Sequence, residues 1–189
     1  MFETLVIIAI VLAIAVAVVL ILAARKPNEF RIERGAVIQA PPERIFPLID
    51  DFHQWQAWSP WEGRDPELKR TYEGERGQGA VYAWEGNRNV GAGRMEIVNS
   101  RAPSNVVIKL DFLKPFEAHN TAEFTMLPRG GAANAGGNVS TNVGTDVTWA
   151  MHGPAPLVHR VMQVFMNMDR MIGKDFEAGL ANLKQAAER

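Results

Sequence analysis

At 189 residues the chain has room for one domain of ordinary size and an appendage, and 47% hydrophobic with 22% charged side chains is the composition of a globular protein. Glu3 is the only charge before Arg25, which leaves 20 acidic against 20 basic side chains in the remainder; a neutral body lacks the basic footprint of a nucleic-acid binder. There are no cysteines, which excludes disulfides, thiolate metal sites and a Cys nucleophile.

Leu5 to Ala24 is a run of twenty apolar residues with no charge, Gly or Pro. As a helix it would span roughly 30 Å, the thickness of a bilayer core. A signal peptide is the competing reading, but it calls for a basic start, a shorter apolar core and small residues before a cut. Here Glu3 occupies the start and bulky Ile21 and Leu22 lie near the end. We therefore expect a retained transmembrane helix, residues 1–26, and a separate domain over 27–189. Arg25, Lys26, Arg31 and Arg34 follow the span and no Lys or Arg precedes it, so the expected orientation is N-terminus out with the domain in the cytoplasm. Ala9, Ala13 and Ala17 lie four apart on one face. That spacing suits weak homo-association, although Ala is common in such helices in any case.

Beyond Pro27-Asn28, Phe30 to Gln39 is predicted to be a strand. Pro41-Pro42 stops it and opens a short helix whose buried side is Ile45, Phe46, Leu48 and Ile49, with Pro47 expected to kink or end it. Trp55, Trp58 and Trp61, three of the five tryptophans, then fall within seven residues. They can wall a ligand site or plug one end of a core, and the plug is the commoner outcome. Strand-like runs follow at 67–73, 79–85, 91–100, 105–113, 117–127 and 146–152, separated by turn chemistry such as Gly86-Asn87-Arg88-Asn89 and Ala102-Pro103-Ser104. Alternation puts Val106, Ile108, Leu110 and Phe112 on one face, and likewise Val147, Trp149 and Met151. Ala118, Asn120, Ala122, Phe124 and Met126 share a third face, which leaves Asn120 as a polar group among apolar neighbours. The stretch from Arg129 to Gly144 lacks periodicity and is expected to be a flexible loop, with Asn138-Val139-Ser140 a formal glycosylation acceptor.

Leu157 to Ala187 carries apolar residues at Leu157, Val161, Phe165, Met168, Ile172, Phe176, Leu180 and Leu183, the spacing of one helical stripe. A straight helix of that length, roughly 45 Å, would overhang the domain, so a break is expected between Asn167 and Gly173. Five of the eight methionines, Met151, Met162, Met166, Met168 and Met171, gather in and just before it. They suit an adaptable apolar surface, or equally an ordinary core with gaps to fill.

The run from Ala40 to Trp61 resembles the start of START-like domains of the polyketide-cyclase/SRPBCC group. So do Lys114-Pro-Phe-Glu117, Val147 to Gly153 and Gly173 to Leu183. The resemblance covers about residues 29 to 187. It implies an α+β helix-grip fold, a curved antiparallel sheet wrapped around a long C-terminal helix, here with a transmembrane helix added. Its members include lipid and steroid carriers, hormone receptors and aromatase/cyclases, and it carries no shared catalytic motif onto this chain. The expected function is binding of a hydrophobic small molecule or lipid in an internal cavity beside the bilayer. The expected wall is Trp55, Trp58, Trp84, Asn120, Phe124, Trp149, Met151, Phe165, Met168 and Ile172, with Asn120 orienting a polar head. A cyclase- or hydrolase-type enzyme with His119 or His53 as acid/base is the second reading, and a cavity-free interaction domain at the membrane is the third. No cofactor is implied. The four histidines form no His-x-His or His-Glu-x-x-His pattern, so no metal is expected.

Overall fold

A computed structural model describes residues 1–130 and 144–189. The Asn138-Val139-Ser140 acceptor and most of the expected loop from Arg129 to Gly144 lie outside them. Helix α1 (Phe2–Ala24) is followed by strand β1 (Glu29–Ile38), helix α2 (Pro42–Asp50) and a 3-10 helix (Phe52–Ala57). Six more strands follow: β2 (Lys69–Glu73), β3 (Val81–Glu85), β4 (Ala92–Arg101), β5 (Asn105–Lys114), β6 (Ala118–Arg129) and β7 (Gly144–Pro154). Helices α3 (Leu157–Phe165) and α4 (Met168–Ala187) complete the chain. The seven strands form one antiparallel sheet in the order β1-β7-β6-β5-β4-β3-β2, the arrangement of a helix-grip fold.

The strands form where alternation places them. Val106, Ile108, Leu110, Ala122, Phe124, Met126, Val147, Trp149 and Met151 are all buried on the inner face, and Asn120 is buried among them. Two helical expectations need correction. Pro47 does not end α2, which runs on to Asp50; the Asp51 amide bonds the Pro47 carbonyl. Pro47 removes only its own amide from the ladder, and a helix this short ends before the loss propagates. The C-terminal stripe does break, but at Met166–Asn167, at or just before the near edge of the expected interval. There the Asn167 side chain accepts from the Arg170 amide and starts α4, as capping chemistry favours.

Only the second half of that stripe turns inward. Phe176, Leu180 and Leu183 are buried, whereas Leu157 and Phe165 are exposed. Helix α4 lies along β1, clamped by Arg34, whose guanidinium donates to Glu177 at 2.8 Å and to Asp169 at 3.0 Å. At the far end Lys184 Nζ donates to the Val37 carbonyl at 3.0 Å. Gly173 leaves the space that the Arg34 guanidinium fills, and Gly179 lets the helix backbone approach Trp149 and Pro60. Both glycines therefore serve close approach within α4.

Candidate functional site: a half-filled sheet

The interior is divided along its length. At one end α2 and the aromatic cluster pack it solid. Trp55 and Trp58 are buried and donate from their indole nitrogens to the Ile49 and Leu48 carbonyls at 2.9 and 2.8 Å. Phe124 is fully buried behind them, edge-on to both rings. At the other end lies a cavity of about 1000 Å³ that reaches the exterior. Side-chain size accounts for the division. On β6, Phe124 and Met126 fill the packed end, whereas Ala118, Asn120 and Ala122 border the hollow.

Of the residues expected to form the wall, Trp55, Trp84, Asn120, Trp149, Met151, Phe165, Met168 and Ile172 border the cavity. Trp58 and Phe124 do not: they belong to the packed end, where each ring is covered by other aromatics and Trp58 is tied down by its hydrogen bond. Trp84 reaches its position because Gly93, its partner on β4, has no Cβ in the path of the indole. Met162 and Met166 also line the hollow, while Met171 is exposed outside it.

The polar features of the wall were missed in part. Asn120 stands on the inner face opposite Gly153, whose missing side chain leaves room for the carboxamide. A second polar group was not anticipated. The Tyr82 hydroxyl donates to Glu62 at 2.6 Å, Arg70 Nε donates to the other Glu62 oxygen at 2.7 Å, and both Tyr82 and Glu62 border the cavity. Burial, reinforced by the Glu62 carboxylate, pushes the Tyr82 phenol well above its ordinary range, so it stays protonated and donates. Tyr82 was legible as an inward residue, two before Trp84 on the same strand. Glu62 and Arg70 sit in irregular and edge segments with no period to mark them.

Neither suggested acid/base borders the cavity. His53 bonds Asp51 at 2.9 Å and stacks on Tyr72. His119 is on the outer face, its side chain 61% exposed, with Nδ1 2.7 Å from Asp111 and Nε2 3.4 Å from Glu117. The hydrogen bond to Asp111 raises its pKa above the ordinary 6.5, and nearby Glu117 adds to the shift. The folded chain thus holds this proton more tightly than the unfolded one. The associated stabilisation is complete below the ordinary value and disappears as pH rises through the raised one. Against a His119→Gln variant, the wild-type stability advantage in chemical unfolding should shrink over the pH window that opens at the ordinary 6.5 and runs upward. An advantage that is flat across that window would contradict the assignment.

The sequence profile described as "Polyketide cyclase / dehydrase and lipid transport" matches residues 29–188. No curated protein sequence matches the chain significantly. Among solved structures, protein CV1439 from Chromobacterium violaceum is similar at 13% identity and a TM-score of 0.55, the alignment covering 87% of this chain and 99% of that one. Protein SA2116 from Staphylococcus aureus, described as of unknown function, is similar at 13% identity and a TM-score of 0.57, over 85% and 94% of the two chains. The di-domain ARO/CYC BexL from the BE-7585A biosynthetic pathway is similar at 11% identity and a TM-score of 0.53; the alignment covers 89% of this chain and 53% of BexL. Likeness at such identities concerns the fold.

Proposed function

Because the chain belongs to the polyketide cyclase/dehydrase and lipid-transport family, we propose that it is a membrane-anchored binder of a hydrophobic small molecule or lipid. In this reading residues 1–26 are the anchor and 27–189 the binding domain. The observation that carries it is the cavity of about 1000 Å³, bordered by Trp84, Met95, Leu110, Phe112, Ala122 and Met151. Apolar walls would exclude water from the guest. The Asn120 carboxamide and the Tyr82–Glu62 pair would receive its polar end, because a few polar groups in an apolar pocket set orientation.

Anchoring is supported by α1, 23 residues long with a mean hydropathy of 3.7 and its candidate span unburied. Its last turn packs against α3, and Ala23 is fully covered. A cleaved signal sequence would have no place in the fold, so this contact favours retention. The basic residues after the span favour a cytoplasmic domain. The enzyme reading loses the two bases it named, because His53 and His119 lie away from the hollow; the titratable groups at its border include His159, Tyr82 and Glu62.

The test is native mass spectrometry of the full chain extracted from membranes in mild detergent. We expect bound apolar molecules that survive detergent removal, and uptake of cis-parinaric acid by the stripped protein. A clean mass together with no uptake would defeat the binding role. Protease protection of a C-terminal tag in inverted and right-side-out vesicles tests the orientation.

A further inference from the structure

Helix α3 presents its greasy side outward. Leu157, Val158, Val161 and Phe165 fall on one face by helical spacing. Val158 is 70% and Phe165 71% exposed, and no residue of the helix is fully buried. Its other side is engaged: His159 and Gln163 border the cavity, and Gln163 and Val164 face Leu22, Arg25 and Lys26 at the end of α1. A helix beside water would carry the opposite pattern.

We propose that α3 is an interfacial helix whose outward face beds in the same bilayer that α1 crosses, which sets the cavity mouth at headgroup level. The inference rests on α1 being a retained span. Lipid is favoured as the cover because α3 packs directly on α1, and packed helices sit roughly 10 Å apart. Its apolar face therefore begins within one helix diameter of the last apolar turn of the span. The rim continues the surface: Phe116, 69% exposed, borders the same cavity as Phe165 and Met166, which are also exposed. Apolar side chains flanked by Arg25, Lys26 and Lys114 match an acyl boundary under anionic headgroups.

The natural lack of cysteine makes the test direct. Single Cys residues are placed in the full chain at Val158, Phe165, Val11 and Glu73. Val11 lies within the span, and Glu73 pairs with Val81 at the end of the sheet opposite the Gly86–Gly91 turn. Each variant is nitroxide-labelled in nanodiscs of phosphatidylcholine and phosphatidylglycerol, and collision with oxygen is compared with collision with a water-soluble nickel chelate. We expect oxygen-to-nickel ratios at 158 and 165 several-fold above that at 73 and approaching that at 11. A lipid-like ratio at 11 with a water-like ratio at 158 and 165 overturns the interfacial helix alone. Loss of access to both reagents at 158 and 165 also overturns it, because a second copy or another protein then covers the face. A water-like ratio at 11 removes the anchor and this inference together.

Discussion

Filling the hollow should abolish binding while leaving the domain folded. In an Ala118→Trp/Ala122→Trp double variant, two indoles project from the inward positions of β6 on either side of Asn120 into the space that the small side chains leave open. At about 25 cal/mol per Å² of apolar contact, a guest loses tenfold in affinity for each ~60 Å² of wall it can no longer touch. A tryptophan carries roughly 150–250 Å², so a loss of about a hundredfold or more is expected in titrations with cis-parinaric acid or diphenylhexatriene. Thermal unfolding gives the second readout. Apolar groups added to empty space gain contacts, so Tm should hold or rise. In a filled core the same substitutions would overpack it at about 1–3 kcal/mol each. Unchanged probe affinity, or a marked fall in Tm, would count against the cavity as the binding site, and the fall in Tm would favour a packed interaction domain.

The sheet could be read from the chain because β5, β6 and the first part of β7 alternate between a wet and a dry face. Lys109 beside Ile108, and Thr148 beside Trp149, mark which way the pleat points. The long C-terminal amphipathic stretch was equally plain. Harder was the side to which each half of its stripe belongs. Periodicity shows that Leu157, Val161 and Phe165 share a face, but not what that face meets. For Phe176 it meets the sheet; for Phe165 it is exposed at the cavity rim.

The wall was legible only in part for a related reason. Alternation puts Ala122 and Phe124 on the same face and cannot say which borders space. Residue size carries that information. The β6 series Ala118, Asn120, Ala122 and then Phe124, Met126 passes from small to large, and the hollow ends where it changes. Trp55 and Trp58 could not be separated this way, since both rings are large and both nitrogens find carbonyls on the same helix. The Tyr82–Glu62–Arg70 group required a loop position that no spacing rule supplies.

The residue on which the grip of α4 most depends is Phe176. Its ring lies flat on Trp149, with centroids 4.1 Å apart and planes 5° from parallel, and Phe124 stacks on Trp149 at 4.8 Å. Trp58 and Trp61 meet the edges of Trp149, each at 5.6 Å. One α4 side chain thus engages a cluster drawn from the sheet and from the segment after α2. Truncating a buried Phe to Ala costs about 3–5 kcal/mol, a large part of the roughly 5–15 kcal/mol that holds an ordinary domain together. Phe176→Leu keeps most of the apolar bulk but loses the flat contact, and should forfeit about 0.5–1.5 kcal/mol for each aromatic pair removed. Urea unfolding of the detergent-solubilised full chain, followed by tryptophan fluorescence, should rank wild type above Leu above Ala. The void left by the Ala variant borders the cavity instead of being sealed in the core. A bound apolar probe can therefore refill it, and saturating diphenylhexatriene should stabilise Phe176→Ala more than wild type. If the Ala variant loses under about 1 kcal/mol, or gains nothing from the probe, then the polar clamp of Arg34 and Lys184 is what seats the helix, and the aromatic stack is only its neighbour.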